Sequence, residues 1–114
     1  MTENFSDKLN ALVAKEIATC KQDLDKLSEF DDDEKESFTR GCLFALERSR
    51  SLDCYEDLVR VNNAAKKDLD YWEQVTETDT SKRPYLTFFW WMGQTLELEV
   101  LVDDLKPSKP RRVY

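Results

Sequence analysis

The chain has 114 residues, 24 of them acidic and 17 basic, for a net charge of −7 with no histidine. That length supports one domain with its own core, and the charge opposes general affinity for nucleic acid or an anionic membrane surface. Without imidazole there is no Ser-His or Cys-His nucleophile and no usual zinc or iron ligand; two distant glycines, Gly41 and Gly93, exclude a P-loop and a dinucleotide fingerprint.

The acidic surplus lies in residues 1–38. The N-terminus, MTENFSDKLN, is polar and acidic, unlike a signal peptide, and no apolar run approaches the ~18 residues of a membrane span. Cys20, Cys42 and Cys54 contain no C-x-x-C pair. An odd set at long spacing is a poor disulfide framework, and a zinc site would need a carboxylate or a second chain, which the spacing does not announce. A soluble protein in a reducing, cytoplasmic compartment, with no cofactor and no metal, is the expectation.

The first element is an amphipathic helix from Ser6 to about Glu29, capped by Ser6 or Thr2, with Leu9, Val13, Ile17, Cys20, Leu24 and Leu27 recurring every three or four residues. The same period would serve a coiled-coil seam, but about three heptads are the minimum for one, so packing within the monomer is expected. Next comes the densest charge run, Asp31, Asp32, Asp33, Glu34, Lys35 and Glu36. Asp31 with Glu34, or Asp33 with Glu36, makes a capping box, and the other carboxylates favour a helix N-terminus. A calcium loop is excluded by the absence of a sixth-position glycine.

A second helix runs from about Glu34 to Arg50, with Phe38, Cys42, Ala45 and Leu46 on one face, which Ser49 and Leu52 could extend. Gly41 inside it costs ~1 kcal/mol relative to alanine, which points to a close approach by another backbone or a bulky ring, with the downstream aromatic segment as partner. Asp53 and Glu56 offer another capping box for a third helix carrying Leu58, Val61, Ala65, Leu69, Trp72 and Val75 to about Thr76. Asn62 and Asn63 are weak helix formers at its middle. Thr76 to Arg83 reads as a loop closed by Pro84.

Residues 85–102 hold Phe88, Phe89, Trp90, Trp91 and Met92, then Gly93, then the alternation Leu96, Glu97, Leu98, Glu99, Val100. On a helical wheel the polar residues scatter instead of forming a face. A β-hairpin with Gly93 and Gln94 as a type II′ turn sorts the side chains better. Tyr85, Thr87, Phe89, Trp91, Leu96, Leu98, Val100 and Val102 then share a core face, with Leu86, Phe88, Trp90 and Met92 opposite. The expected fold is mostly α, a three-helix domain over residues 1–105 with a C-terminal hairpin at 85–102. Its alternative is an all-α four-helix bundle with a buried C-terminal helix. Residues 106–114 form a basic, proline-containing tail.

Because the aromatic stripe is too large to leave in water without reason, the function expected is a non-enzymatic interaction module. It would bind another protein, or itself as a homodimer, through Leu86, Phe88, Trp90 and Met92. An alternative is an acidic inhibitor or immunity-type protein that blocks a nucleic-acid-binding protein with Asp31, Asp32, Asp33, Glu34 and Glu36. Lysines interrupt those acids, which weakens the mimicry. A magnesium-dependent carboxylate enzyme using Asp53, Glu56 and Asp57, or Glu73 and Glu77, ranks third.

Overall fold

The computed structural model describes residues 4–26 and 33–106, and there the chain forms four helices: α1 Phe5–Lys26, α2 Asp33–Ser49, α3 Tyr55–Thr78 and α4 Lys82–Leu105. No strand occurs among the described residues. The expected C-terminal hairpin is therefore corrected to a helix, and the architecture is the all-α four-helix alternative. Residues 107–114, most of the basic tail, lie outside the described residues, as do Asp31 and Asp32.

Local chemistry accounts for the helix limits. Asn4, not Ser6, starts α1: its Oδ1 accepts the Asp7 N–H at 2.8 Å, satisfying one of the unpaired donors of the first turn. Asp33, Glu34 and Glu36 occupy the first turn of α2, where carboxylates favour the positive end of the helix dipole. The N-cap of α3 is Cys54, which makes no side-chain capping bond, so the Asp53 capping box does not form. Nor do the two asparagines break α3. Asn62 is buried, and its Nδ2 donates to Glu99 Oε2 at 3.2 Å. The loop into α4 is only Asp79 to Ser81. Pro84 then sits in the first helical turn, where its missing N–H breaks no helical bond.

Helix α4 is the axis of the fold, touching all three other helices and α2 most extensively. It runs parallel to α2: Lys82 pairs with Asp33 near one end, and Cys42 lies beside Glu97 further along. It runs antiparallel to α3, where the Tyr55 hydroxyl donates to the Val102 carbonyl at 3.2 Å and Lys66 pairs with Glu99 at 2.9 Å. The core is Leu9, Val13, Ile17 and Cys20 from α1, Cys42, Ala45 and Leu46 from α2, Leu58 and Ala65 from α3, and Leu98 and Leu101 from α4. The apolar stripe of α1 thus packs within its own chain.

The buried side of α4 explains why the wheel misled. Its buried residues are Gly93, Gln94, Glu97, Leu98 and Leu101, which at 100° per residue fill one arc of about 140°. Two of those five, Gln94 and Glu97, are polar and a third is glycine. Tyr85 and Leu96, exposed by 40% and 49%, lie on the other side. Apolar and polar residues therefore mix on both sides of a helix that nonetheless has a definite inside and outside. The alternation from Leu96 to Val100 is likewise helical: Leu98 and Glu97 point inward, Glu99 reaches α3 and Leu96 faces solvent.

Both glycines meet at the crossing of α2 and α4. A methyl group built on Gly41 would overlap the carbonyl oxygen of Trp90 and come within 3.0 Å of its Cα. One built on Gly93 would overlap the carbonyl oxygen of Phe38 and lie 2.9 Å from the Cys42 nitrogen. Each glycine therefore faces the carbonyl three residues before the other glycine, a reciprocal contact of backbone on backbone. The expectation of a close approach at Gly41 by the aromatic segment holds, and the approaching group is the Trp90 main chain.

Because backbone cannot move aside as a flexible side chain can, Gly41→Ala and Gly93→Ala should each destabilise the protein by about 1–3 kcal/mol, the usual cost of overpacking, despite the intrinsic helix preference of alanine. Urea unfolding of the two variants tests this. An increase in stability in either one would contradict the crossing.

Candidate functional site

The four residues expected to form one interaction stripe are separated by the helix. Leu86 and Trp90 are one turn apart and, with Ser37, Arg83 and Thr87, line a hollow of about 260 Å³. The Trp90 ring lies 4.9 Å from Phe44, which is 43% exposed, and 5.2 Å from Trp91. Phe88 is half-buried with its ring 6.0 Å from Phe89. Met92 joins a different set.

That set is Tyr85, Phe89, Met92 and Leu96, spaced four, three and four residues apart on the outer side of α4. Two adjoining hollows border it, one of about 370 Å³ with Phe38, Lys66, Leu69, Met92, Thr95, Leu96 and Glu99, the other of about 270 Å³ with Glu34, Lys35, Phe38, Phe89 and Met92. Phe38 and Met92 belong to both, so the two form one groove between the start of α2 and the middle of α3. Its charged rim is balanced, with Glu34 and Lys35 at one end and Lys66 with Glu99 at the other.

The acidic run is partly neutralised. Asp33 pairs with Lys82, Glu36 bonds Arg40 at 2.9 Å, and Glu34 lines the groove. Among the carboxylates weighed for magnesium, Asp57 pairs with Arg60 at 3.1 Å, and no three carboxylates converge among the described residues. A cavity of about 280 Å³ between α2, α3 and α4 is lined by Arg48, Arg60, Asp68, Trp91 and Gln94 among others. Gln94 is 2% exposed, and its Nε2 has no partner among the described residues.

The most unusual chemistry lies where α1, α2 and α4 meet. The Sγ atoms of Cys20 and Cys42 and a carboxylate oxygen of Glu97 all lie within 4.8 Å of one another, and all three residues are buried. The Cys20 and Cys42 side chains interact with each other. Burial, followed by the charges of Glu97, Asp23 and Glu16, pushes the Cys20 thiol up to about 11. Cys42 is raised further, chiefly by burial and then by Glu97. Burial, reinforced by Glu16, lifts the Glu97 carboxyl to about 7, and its Oε2 has no hydrogen-bond partner among the described residues. By contrast, Lys66 and then Asn62 hold Glu99 below the ordinary carboxylate range. Glutamates two residues apart are thus driven in opposite directions.

Sequence reasoning missed this cluster because its members are far apart along the chain. The one local signal is the position of Cys42 beside Gly41, where close backbone approach was already expected. Comparison of the chain with known protein families, curated proteins and solved structures finds no match.

A carboxyl raised from 4.5 to about 7 weakens the fold as it ionises. Below about pH 4.5 native and unfolded chains both hold the proton; between there and pH 7 only the native chain does, so stability falls as pH rises and levels off above. The loss is roughly 3 kcal/mol. Glu97→Gln should remove this slope and be the more stable protein at pH 8 in chelator-containing buffer. Urea unfolding of both proteins at pH 5 and pH 8 is the check, and equal pH dependence in the two would contradict it.

Proposed function

We propose that the chain is a non-enzymatic protein-interaction module and that the groove along α4 takes the same groove of a second copy, forming a symmetric dimer. The observation that carries this reading is the stripe of Tyr85, Phe89, Met92 and Leu96. Its heptad-like spacing on a helix exterior is the pattern by which one helix packs on another. Tyr85 and Leu96 are 40% and 49% exposed, while Phe38 and Leu69 form the walls.

Charge favours the second copy as occupant. A chain of net charge −7 repels its own kind at long range, yet the groove rim carries two acids and two bases. An antiparallel two-fold arrangement brings the Glu34 and Lys35 end of one copy opposite the Lys66 and Glu99 end of the other, so each end meets both signs. The acidic-inhibitor reading has less support, since Asp33 and Glu36 already have basic partners. The absence of histidine supports a non-enzymatic role. No helix among the described residues is long and apolar enough to cross a membrane. The free thiols of Cys20, Cys42 and Cys54 fit a reducing, cytoplasmic setting.

Sedimentation equilibrium should give twice the 13.5 kDa of the chain. Leu96→Asp, at a position already open to solvent, should leave helicity unchanged. It should raise the dimer dissociation constant by about 100-fold or more, because an unpaired carboxylate enclosed at an interface costs about 3 kcal/mol or more. A monomeric mass at every concentration would overturn the reading, as would a dimer indifferent to Leu96→Asp.

A further inference from the structure

Cys20, Cys42 and Glu97 come from three different helices and turn their ligating atoms toward one point. In a tetrahedral zinc site with Zn–S about 2.3 Å and Zn–O about 2.0–2.2 Å, neighbouring ligand atoms stand about 3.6–3.8 Å apart. The three atoms here lie within 4.8 Å of one another, so closing on a metal requires each pair to draw in by no more than about 1.2 Å. Independently, Glu97 is 8% exposed and its Oε2 has no hydrogen-bond partner among the described residues, an arrangement that costs free energy for either charged or neutral carboxyl. The side chains whose charges act on the cluster are acidic as well, Glu16 and Asp23 from α1. A buried group of acids with an unpaired oxygen is what a cation would stabilise.

We propose that Cys20, Cys42 and Glu97 bind one thiophilic divalent cation of the zinc type at the α1–α2–α4 junction, with water or the Glu16 carboxylate in the fourth position. Two sulfur donors select a soft or borderline metal over magnesium or calcium, which take oxygen ligands in larger number. Binding releases the protons of both thiols and, where Glu97 is still protonated, that of its carboxyl; the resulting thiolates and carboxylate form the three metal bonds. The consequence is structural. The cation ties α1 to α2 and α4 at a point otherwise occupied by an acid with one unpaired oxygen.

The test is a titration of the reduced, full-length chain with Co²⁺. One equivalent should produce a thiolate-to-cobalt charge-transfer band in the near ultraviolet and strong visible bands of tetrahedral cobalt, both abolished by Zn²⁺. Zn²⁺ should raise the melting temperature and Mg²⁺ should not. Cys42→Ser and Glu97→Gln should each weaken cobalt binding by at least about tenfold, while Cys54→Ser leaves it unchanged. If circular dichroism shows Cys42→Ser to be unfolded, Glu97→Gln, which keeps the size of the side chain, carries the test. The absence of a thiolate band in the unaltered chain overturns the proposal. So does a band that is lost with Cys54→Ser, or one that Glu97→Gln leaves at full strength.

Discussion

The fold depends on the backbone contact between α2 and α4 at Gly41 and Gly93. Parallel helices normally keep their axes 8–10 Å apart because side chains fill the space between them. Here a Cβ on either glycine would overlap a carbonyl oxygen of the facing helix, so the separation is set by main chain. Close contact of this kind gains dispersion energy over many atom pairs and aligns glycine Cα–H bonds with carbonyls. The cost is a helix-interior glycine on each side, about 1 kcal/mol apiece relative to alanine. Reciprocity makes the contact specific: sliding either helix by one residue would drive a side chain into the opposing backbone at one of the two positions.

From that crossing the buried cluster follows by helical geometry. Cys42 adjoins Gly41, and its backbone nitrogen is already against Gly93. Glu97 is one turn beyond Gly93 on the same buried arc. With the helices this close, the Cys42 thiol and the Glu97 carboxyl have no room to reach water, and α1 covers them with Cys20. The upward displacement of all three acids has this one origin, burial, to which their mutual charges and those of Glu16 and Asp23 add. Glu99, two residues on, projects about 200° away around the helix, where Lys66 and Asn62 satisfy it at the surface.

Much of the helical content was legible. The stripes of α1, α2 and α3 have the period of a surface helix, and their buried apolar residues, from Leu9 to Ala65, are periodic ones, although Thr39 and Asn62 are buried beside them and Val61, Leu69, Trp72 and Val75 are only half-buried. The use of Gly41 could also be read, since an interior glycine with no turn to make must serve packing. Helix α4 was not legible because wheel analysis assumes that the inside of a helix is apolar. Gln94 and Glu97 break that assumption on the buried arc, while Tyr85, Phe89, Met92 and Leu96 break it outside. The alternation from Leu96 to Val100 imitated a strand, yet an isolated two-stranded hairpin has little stability of its own, whereas leucine, glutamate and methionine are sound helix formers. Contacts among Cys20, Cys42 and Glu97 join residues tens of positions apart, and no local period encodes them.

Magnitudes decide whether an acid such as Glu97 can persist in the core. Its ionisation weakens the fold by roughly 3 kcal/mol, while a fully buried leucine, valine or isoleucine side chain contributes about 1.5–3 kcal/mol. Leu9 and Val13 of α1 are fully enclosed and Ile17 nearly so. One or two such residues contribute as much as the ionised acid costs. The cluster is therefore tolerated chiefly by apolar packing a turn or two away, since the side chain that bonds Glu97 is itself an acid, Glu16. That separation leaves the Oε2 of Glu97 without a protein donor among the described residues, so the chemistry of the junction can change without the helices coming apart.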